Sequence, residues 1–166
     1  MSQNASQHLQ DSHPDLPLDP DADQMAATQP IHTDPVHIAT VAVGAFFGTL
    51  ARYYIGVLLP TKEGSLPLAT LVINISGAFI LGLLLEALAK QGKDVGRRRT
   101  LRLLIGTGFC GAYTTYSSLA TGAALLVRDN HLILSTAYAL ISVISGIVAA
   151  ALGIQVASIA HHQRTS

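Results

Sequence analysis

The run Gly108-Phe109-Cys110-Gly111-Ala112-Tyr113-Thr114-Thr115-Tyr116-Ser117-Ser118 sets two glycines and six hydroxyl side chains inside a stretch that is otherwise hydrocarbon. A helix interrupted at membrane depth frees peptide groups that water cannot reach, so such a break survives only when buried in protein or lining a polar cavity. It predicts an ion or substrate site. Asn74 adds an amide with two donor hydrogens and one acceptor, which hydrocarbon forces into a partnership. That partnership is an interhelical bond or a ligand. Tyr138 and Ser142, four residues apart, share one face of a helix, and Ser145 lies nearby. Hydroxyls and one amide, with no acidic residue among them, suit an anion that sheds its water: donors replace hydration, and an embedded carboxylate would repel the ion. Arg52, two turns before the end of its segment, either snorkels to the interface or faces a vestibule where it concentrates anions.

These residues need elements to hold them, and the composition supplies membrane helices. The chain has 166 residues, 49% of them hydrophobic and 12% charged, with the charges almost wholly outside four apolar segments at about 36–59, 66–89, 101–127 and 131–160. Each is long enough to span a bilayer as a helix, and none alternates as a barrel strand would. The expected fold is an all-α membrane domain, 36–162, with four transmembrane helices. Residues 1–35 hold six aspartates and no Lys or Arg. They are expected to be a disordered acidic tail without a signal peptide's basic start and apolar core, leaving the first span to direct insertion. His8, His13, His32 and His37 are scattered without the spacing of a structural metal site. Cys110 is the only cysteine, so no disulfide forms within one chain and its expected role is packing.

Lys90, Lys93, Arg97, Arg98, Arg99 and Arg102 crowd the connection between the second and third segments, against Lys62 and Arg128 in the other two loops. The positive-inside rule then puts both termini in the cytoplasm. Glu86 is the one carboxylate within the segments, close to that basic end, where pairing with Lys90 four residues on is expected. A proton-coupled exporter of organic cations needs a titratable carboxylate deep in the bundle, and none is present.

The chain resembles the CrcB/Fluc fluoride channels. The resemblance covers all four segments and rests on Gly44 through Arg52-Tyr53, on Thr70-Leu71-Val72-Ile73-Asn74 with Gly77 to Gly82, and on Gly108-Phe109-Cys110-Gly111 followed by Thr114-Thr115 and Ser117. It implies four helices with a break in the third, assembled as an antiparallel dimer. One structural sodium ion would lie at the centre, held by the backbone carbonyls of Gly111 and Thr114. It also implies a fluoride path lined by Asn74, Thr115, Tyr116, Ser117, Leu119, Tyr138 and Ser142, with Arg52 in the vestibule. The expected function is passive fluoride export across a bacterial plasma membrane, with no enzyme chemistry and no nucleic-acid partner.

The family's two third-helix phenylalanines are replaced here by Tyr116 and Leu119. Tyr116 keeps an aromatic edge, whereas Leu119 has none. The chain is thus expected either to form a homodimer with a modified pore or to pair with a second family member. A non-conducting partner subunit and a small proton-coupled exporter are the rival readings. The basic loop favours a heterodimer, because a fixed orientation opposes antiparallel self-assembly.

Overall fold

The computed structural model describes residues 34–61, 64–91 and 94–165. Two units, Met1–Asp34 and Pro35–Ser166, divide the chain; the disorder expected of the tail, its histidines before His37, and Lys62 and Lys93 fall outside the described residues. Every described element is helical. Helix α1 runs Pro35–Leu58 and α2 runs Leu68–Ala89. Next come α3 at Arg97–Leu101, a π-helical segment at Arg102–Cys110 and one further turn, α4, at Gly111–Tyr113. After the break, α5 covers Tyr116–Arg128 and α6 covers Leu132–Thr165.

Three of these helices, α1, α2 and α6, are long and apolar enough to cross a membrane. The third segment, outlined at about 101–127, carries the interruption expected of it. It begins at Arg97, widens into nine residues of π-helix and parts at Thr114–Thr115, so neither piece reaches the roughly 20 residues of a full span. At 34 residues α6 is about 50 Å long and exceeds the hydrocarbon thickness.

Small residues decide which helices touch. A Cβ at Gly44 or Gly48 of α1 would collide with the carbonyls of Leu104 and Phe109, and one at Gly108 would sit 2.5 Å from the Val41 carbonyl. Backbone therefore meets backbone between α1 and the π-helical segment. The second close pair is α2 with α6, where Gly82 abuts the Ala150 carbonyl and Gly153 that of Phe79. Such contacts suit a membrane, where close packing rather than water expulsion drives helix association. The buried apolar set is correspondingly small, and includes Ile73, Leu88, Leu103, Cys110, Tyr113, Leu126 and Tyr138. Large apolar side chains point outward instead, Phe46 at 61% exposure and Ile133 at 88%. So much exposed apolar surface calls for lipid or a partner subunit to cover it.

Replacing Gly44 with Ala is expected to destabilise the protein by about 1–3 kcal/mol, because the Leu104 backbone must retreat. At Gly56, where an added Cβ meets nothing within 4 Å, the same change should stabilise by about 0.5–1 kcal/mol through helix propensity. Thermal unfolding of the detergent-solubilised variants checks the opposite signs.

Candidate functional site

The break begins after Tyr113, the last helical residue before it. Thr114 (φ −76°, ψ 157°) and Thr115 (φ −153°, ψ 117°) are extended, so the ladder of i to i+4 bonds cannot continue through them. The orphaned groups of Thr115 find a side-chain partner. Its N–H donates to Asn74 Oδ1 at 2.8 Å, and its carbonyl accepts from Asn74 Nδ2 at 3.1 Å. One carboxamide thus replaces a neighbouring peptide group, matching donor to acceptor and acceptor to donor.

Thr115 also caps the following helix. Its Oγ1 accepts the Ser118 N–H at 3.1 Å, the usual service of an N-cap threonine, donates to Ser118 Oγ at 3.2 Å and lies 3.0 Å from the Ser117 hydroxyl. These two sets of bonds have a joint consequence. In a continuous helix the Gly111 carbonyl would receive the Thr115 N–H, and the Thr114 carbonyl the Ser118 N–H. Both amides are diverted, one to Asn74 and the other to the Thr115 hydroxyl. Gly111 and Thr114 therefore keep carbonyl lone pairs that helix formation would have consumed. Gly111 lies exposed, with nothing within 4 Å of where a Cβ would stand.

The first half of the third segment is anchored up to the break. Thr114 N–H and Oγ1 both donate to the Cys110 carbonyl, at 3.0 and 2.9 Å. Tyr113 stacks on Phe109 with ring centroids 5.3 Å apart, and its hydroxyl meets Ser76 Oγ at 2.8 Å. A Cβ at Gly77 would strike the Thr114 methyl. Ser76, Gly77 and Asn74 thus present successive parts of one α2 surface to Tyr113, Thr114 and Thr115.

The expected site residues fall into two groups. Asn74 is half-buried, Thr115 9% exposed, Tyr138 2% and Ser142 5%, which places these four in the subunit interior. The Tyr138 hydroxyl is buried without a hydrogen bond, and the Thr70 hydroxyl, one turn from Asn74, is the side chain it faces. A ring carbon of Tyr138 would lie 3.4 Å from a Cβ at Gly122, bringing α6 against α5. Tyr116 is 81% exposed, Ser117 is exposed and Leu119 is partly so. Tyr116 and Leu119 thus stand apart from the buried group, whereas the exposed Ser117 reaches it through its hydrogen bond with Thr115. Arg52 is half-buried on α1, and among the described residues no carboxylate pairs with it.

Ser145 is satisfied within its own helix, bonding the Ile141 carbonyl. Glu86 makes the expected ion pair with Lys90, 3.3 Å, and also accepts from Ser158 Oγ at 2.9 Å. Sequence reasoning assigned no task to Tyr113 or Thr70 and only grouped Ser76 with its neighbours. The available signal was general: a tyrosine hydroxyl in an apolar segment needs a partner, and Ser76 lies within a turn of Asn74.

Among the described residues no group of three or more His, Cys, Asp or Glu is gathered that could hold a metal. The polar groups at the break are carbonyls, hydroxyls and one amide. Lipid-length helices around a braced interruption define a multi-pass membrane protein whose polar centre is made of neutral groups. Residues 39–154 match the family model described as CrcB-like protein, Camphor Resistance (CrcB), and the chain belongs to that family. It is 43% identical over 112 residues to fluoride-specific ion channel FluC 1 of Cutibacterium acnes, covering 68% of this chain and 78% of the relative. It is 44% identical over 102 residues to fluoride-specific ion channel FluC 2 of Leifsonia xyli (61% and 70% coverage). With fluoride-specific ion channel FluC of Chlorobium phaeobacteroides strain BS1 it shares 36% identity over 119 residues (72% and 91%).

Replacing Asn74 with Leu leaves two peptide groups of Thr115 unpaired in a low-dielectric site and should cost about 2–4 kcal/mol. Thr115→Val removes the cap and the hydroxyl contacts to Ser117 and Ser118 but leaves both bonds to Asn74, and should cost about 1 kcal/mol, with Thr115→Ser restoring the loss. Thermal melting of the four proteins in detergent checks this order.

Proposed function

We propose that this chain is a subunit of a fluoride channel, conducting the anion passively across the plasma membrane and lowering its cytoplasmic concentration. The observation that carries the reading is the braced break on a chain 34–44% identical to proteins named fluoride-specific ion channels. Fluoride is strongly hydrated, so a path must offer donors in place of water. Asn74, Thr115, Ser117, Tyr138 and Ser142 are the donors assigned to it. Asn74 spends one Nδ2 hydrogen on Thr115, which leaves the second for a passing anion. Tyr138 brings a buried hydroxyl that faces Thr70. Tyr116 and Leu119, on the outer face of α5, would line the path where a second subunit covers them. Arg52 would draw anions to the mouth.

The assembly proposed is an antiparallel dimer in which the third segment completes the fourth crossing of each subunit. The diverted carbonyls of Gly111 and Thr114 fit a structural sodium ion: two neutral oxygens from each of two chains make a set of four for a hard monovalent cation on the symmetry axis. The ion would bind the two third segments together. With six basic residues in one connection, the chain is biased toward one orientation, which favours a complementary second family member as partner. Both termini would then be cytoplasmic.

Reconstitution of the full chain in fluoride-loaded liposomes, read with a fluoride electrode, is expected to give fluoride efflux without chloride efflux or release of a cationic dye. Equal loss of chloride, or dye release alone, would remove the fluoride reading. Flux only after addition of a second family member would identify the heterodimer. An experimental map of the conducting assembly is expected to show a cation density on the Gly111 and Thr114 carbonyls, and its absence would remove the sodium.

A further inference from the structure

The basic connection has a structure of its own, at the end of α2 and the start of the third segment. A cavity of about 310 Å³ is lined there by Leu85, Leu88, Ala89, Asp94, Arg98 and Arg102. Its two characters are segregated along the chain. The last turns of α2 give the apolar lining, with Leu85 45% exposed, and the residues that follow give two guanidinium groups and, among the described lining residues, one carboxylate. Arg102 Nη2 pairs with Asp94 Oδ2 at 2.6 Å, while its Nε is buried and bonded to no described residue. The Asp94 backbone carbonyl accepts from Arg99 Nε at 3.2 Å, which fixes the loop beneath the pair. An arginine with one edge held and another N–H buried without an acceptor is pre-oriented for a further oxyanion.

We infer that this cavity binds an anionic phospholipid, its phosphate on Arg102 and Arg98 and the start of its acyl chains on Leu85, Leu88 and Ala89. Three features favour a lipid over a soluble anion. The cavity lies where α2 ends at Ala89 and the chain re-enters at Arg97, the level at which a spanning helix meets headgroups. Half of its lining is apolar, which a free phosphate would leave wet. Among its described lining residues two arginines stand against one acid, Asp94, so the local field favours an anionic headgroup over a zwitterionic one. Asp94 acts as a placeholder that holds Arg102 in position and competes with the phosphate.

That competition gives a signature which a structural ion pair lacks. Full-length protein in mild detergent, offered phosphatidylglycerol or phosphatidylcholine and examined by native mass spectrometry, is expected to retain phosphatidylglycerol preferentially. Arg102→Gln should lower its retention about five-fold, the size expected of one basic residue at a membrane surface. Arg98→Gln should act in the same direction, and Arg97→Gln, outside the lining, should leave retention unchanged. Asp94→Asn should raise it, whereas a merely structural Asp94–Arg102 pair predicts that retention falls in both of its variants. Should Arg102→Gln fail to fold, the Asp94→Asn and Arg98→Gln arms decide. Equal retention of the two lipids, or a loss in Arg97→Gln matching that in Arg98→Gln, would overturn the assignment. So would protection from melting by inorganic phosphate in the absence of any effect of phosphatidylglycerol.

Discussion

A peptide group without a hydrogen-bond partner costs several kcal/mol in hydrocarbon. The pairing of Asn74 with Thr115 answers that constraint at the one place where the third segment abandons its helix. Because a carboxamide has the same donor and acceptor pattern as a peptide, a single side chain of α2 satisfies both orphaned groups. The Thr115 hydroxyl then serves the next helix as its cap. The arrangement releases the carbonyls of Gly111 and Thr114 from the backbone ladder while leaving the break itself fully bonded at Thr115. An interruption that would otherwise be a fault becomes a fixed set of oxygens.

The neighbouring contacts follow from holding the break in position. Tyr113 is stacked on Phe109 and latched to Ser76, and Gly77 admits the Thr114 methyl. Gly44, Gly48 and Gly108 bring α1 directly onto the π-helical stretch that leads there. Two close-packed pairs, α1 with the π-helical segment and α2 with α6, therefore flank the polar centre. Their outer surfaces remain apolar and exposed, as surfaces do that face lipid or another subunit.

Much of this was legible in the residues. Continuous apolar stretches ended by Pro60, Pro67 and the basic loop mark helices of membrane length. The glycine and hydroxyl run at 108–118 announces an irregularity, because no other stretch within the four apolar segments is so ill suited to lipid. The pairing of Asn74 was legible as a necessity, but its partner was not: a side chain's need for a hydrogen bond does not name a residue 41 positions away. The π-helical stretch was hidden for a different reason. Its residues carry the same apolar pattern as an α-helix, and nothing in that pattern marks a wider turn. Segregation of Tyr116 and Leu119 from the buried Tyr138 and Ser142 was equally out of reach. Helical spacing gives faces, and only packing tells which face looks inward.

The central claim is that the Asn74 amide both braces the break and serves the anion path. Fluoride efflux from liposomes holding folded Asn74→Asp protein, compared with the parent in the assembly that conducts, tests it most directly. A carboxylate can still accept the Thr115 N–H, but it opposes the Thr115 carbonyl and repels an anion. Efflux is predicted to fall to the level of empty liposomes; efflux at the parent rate would contradict the account.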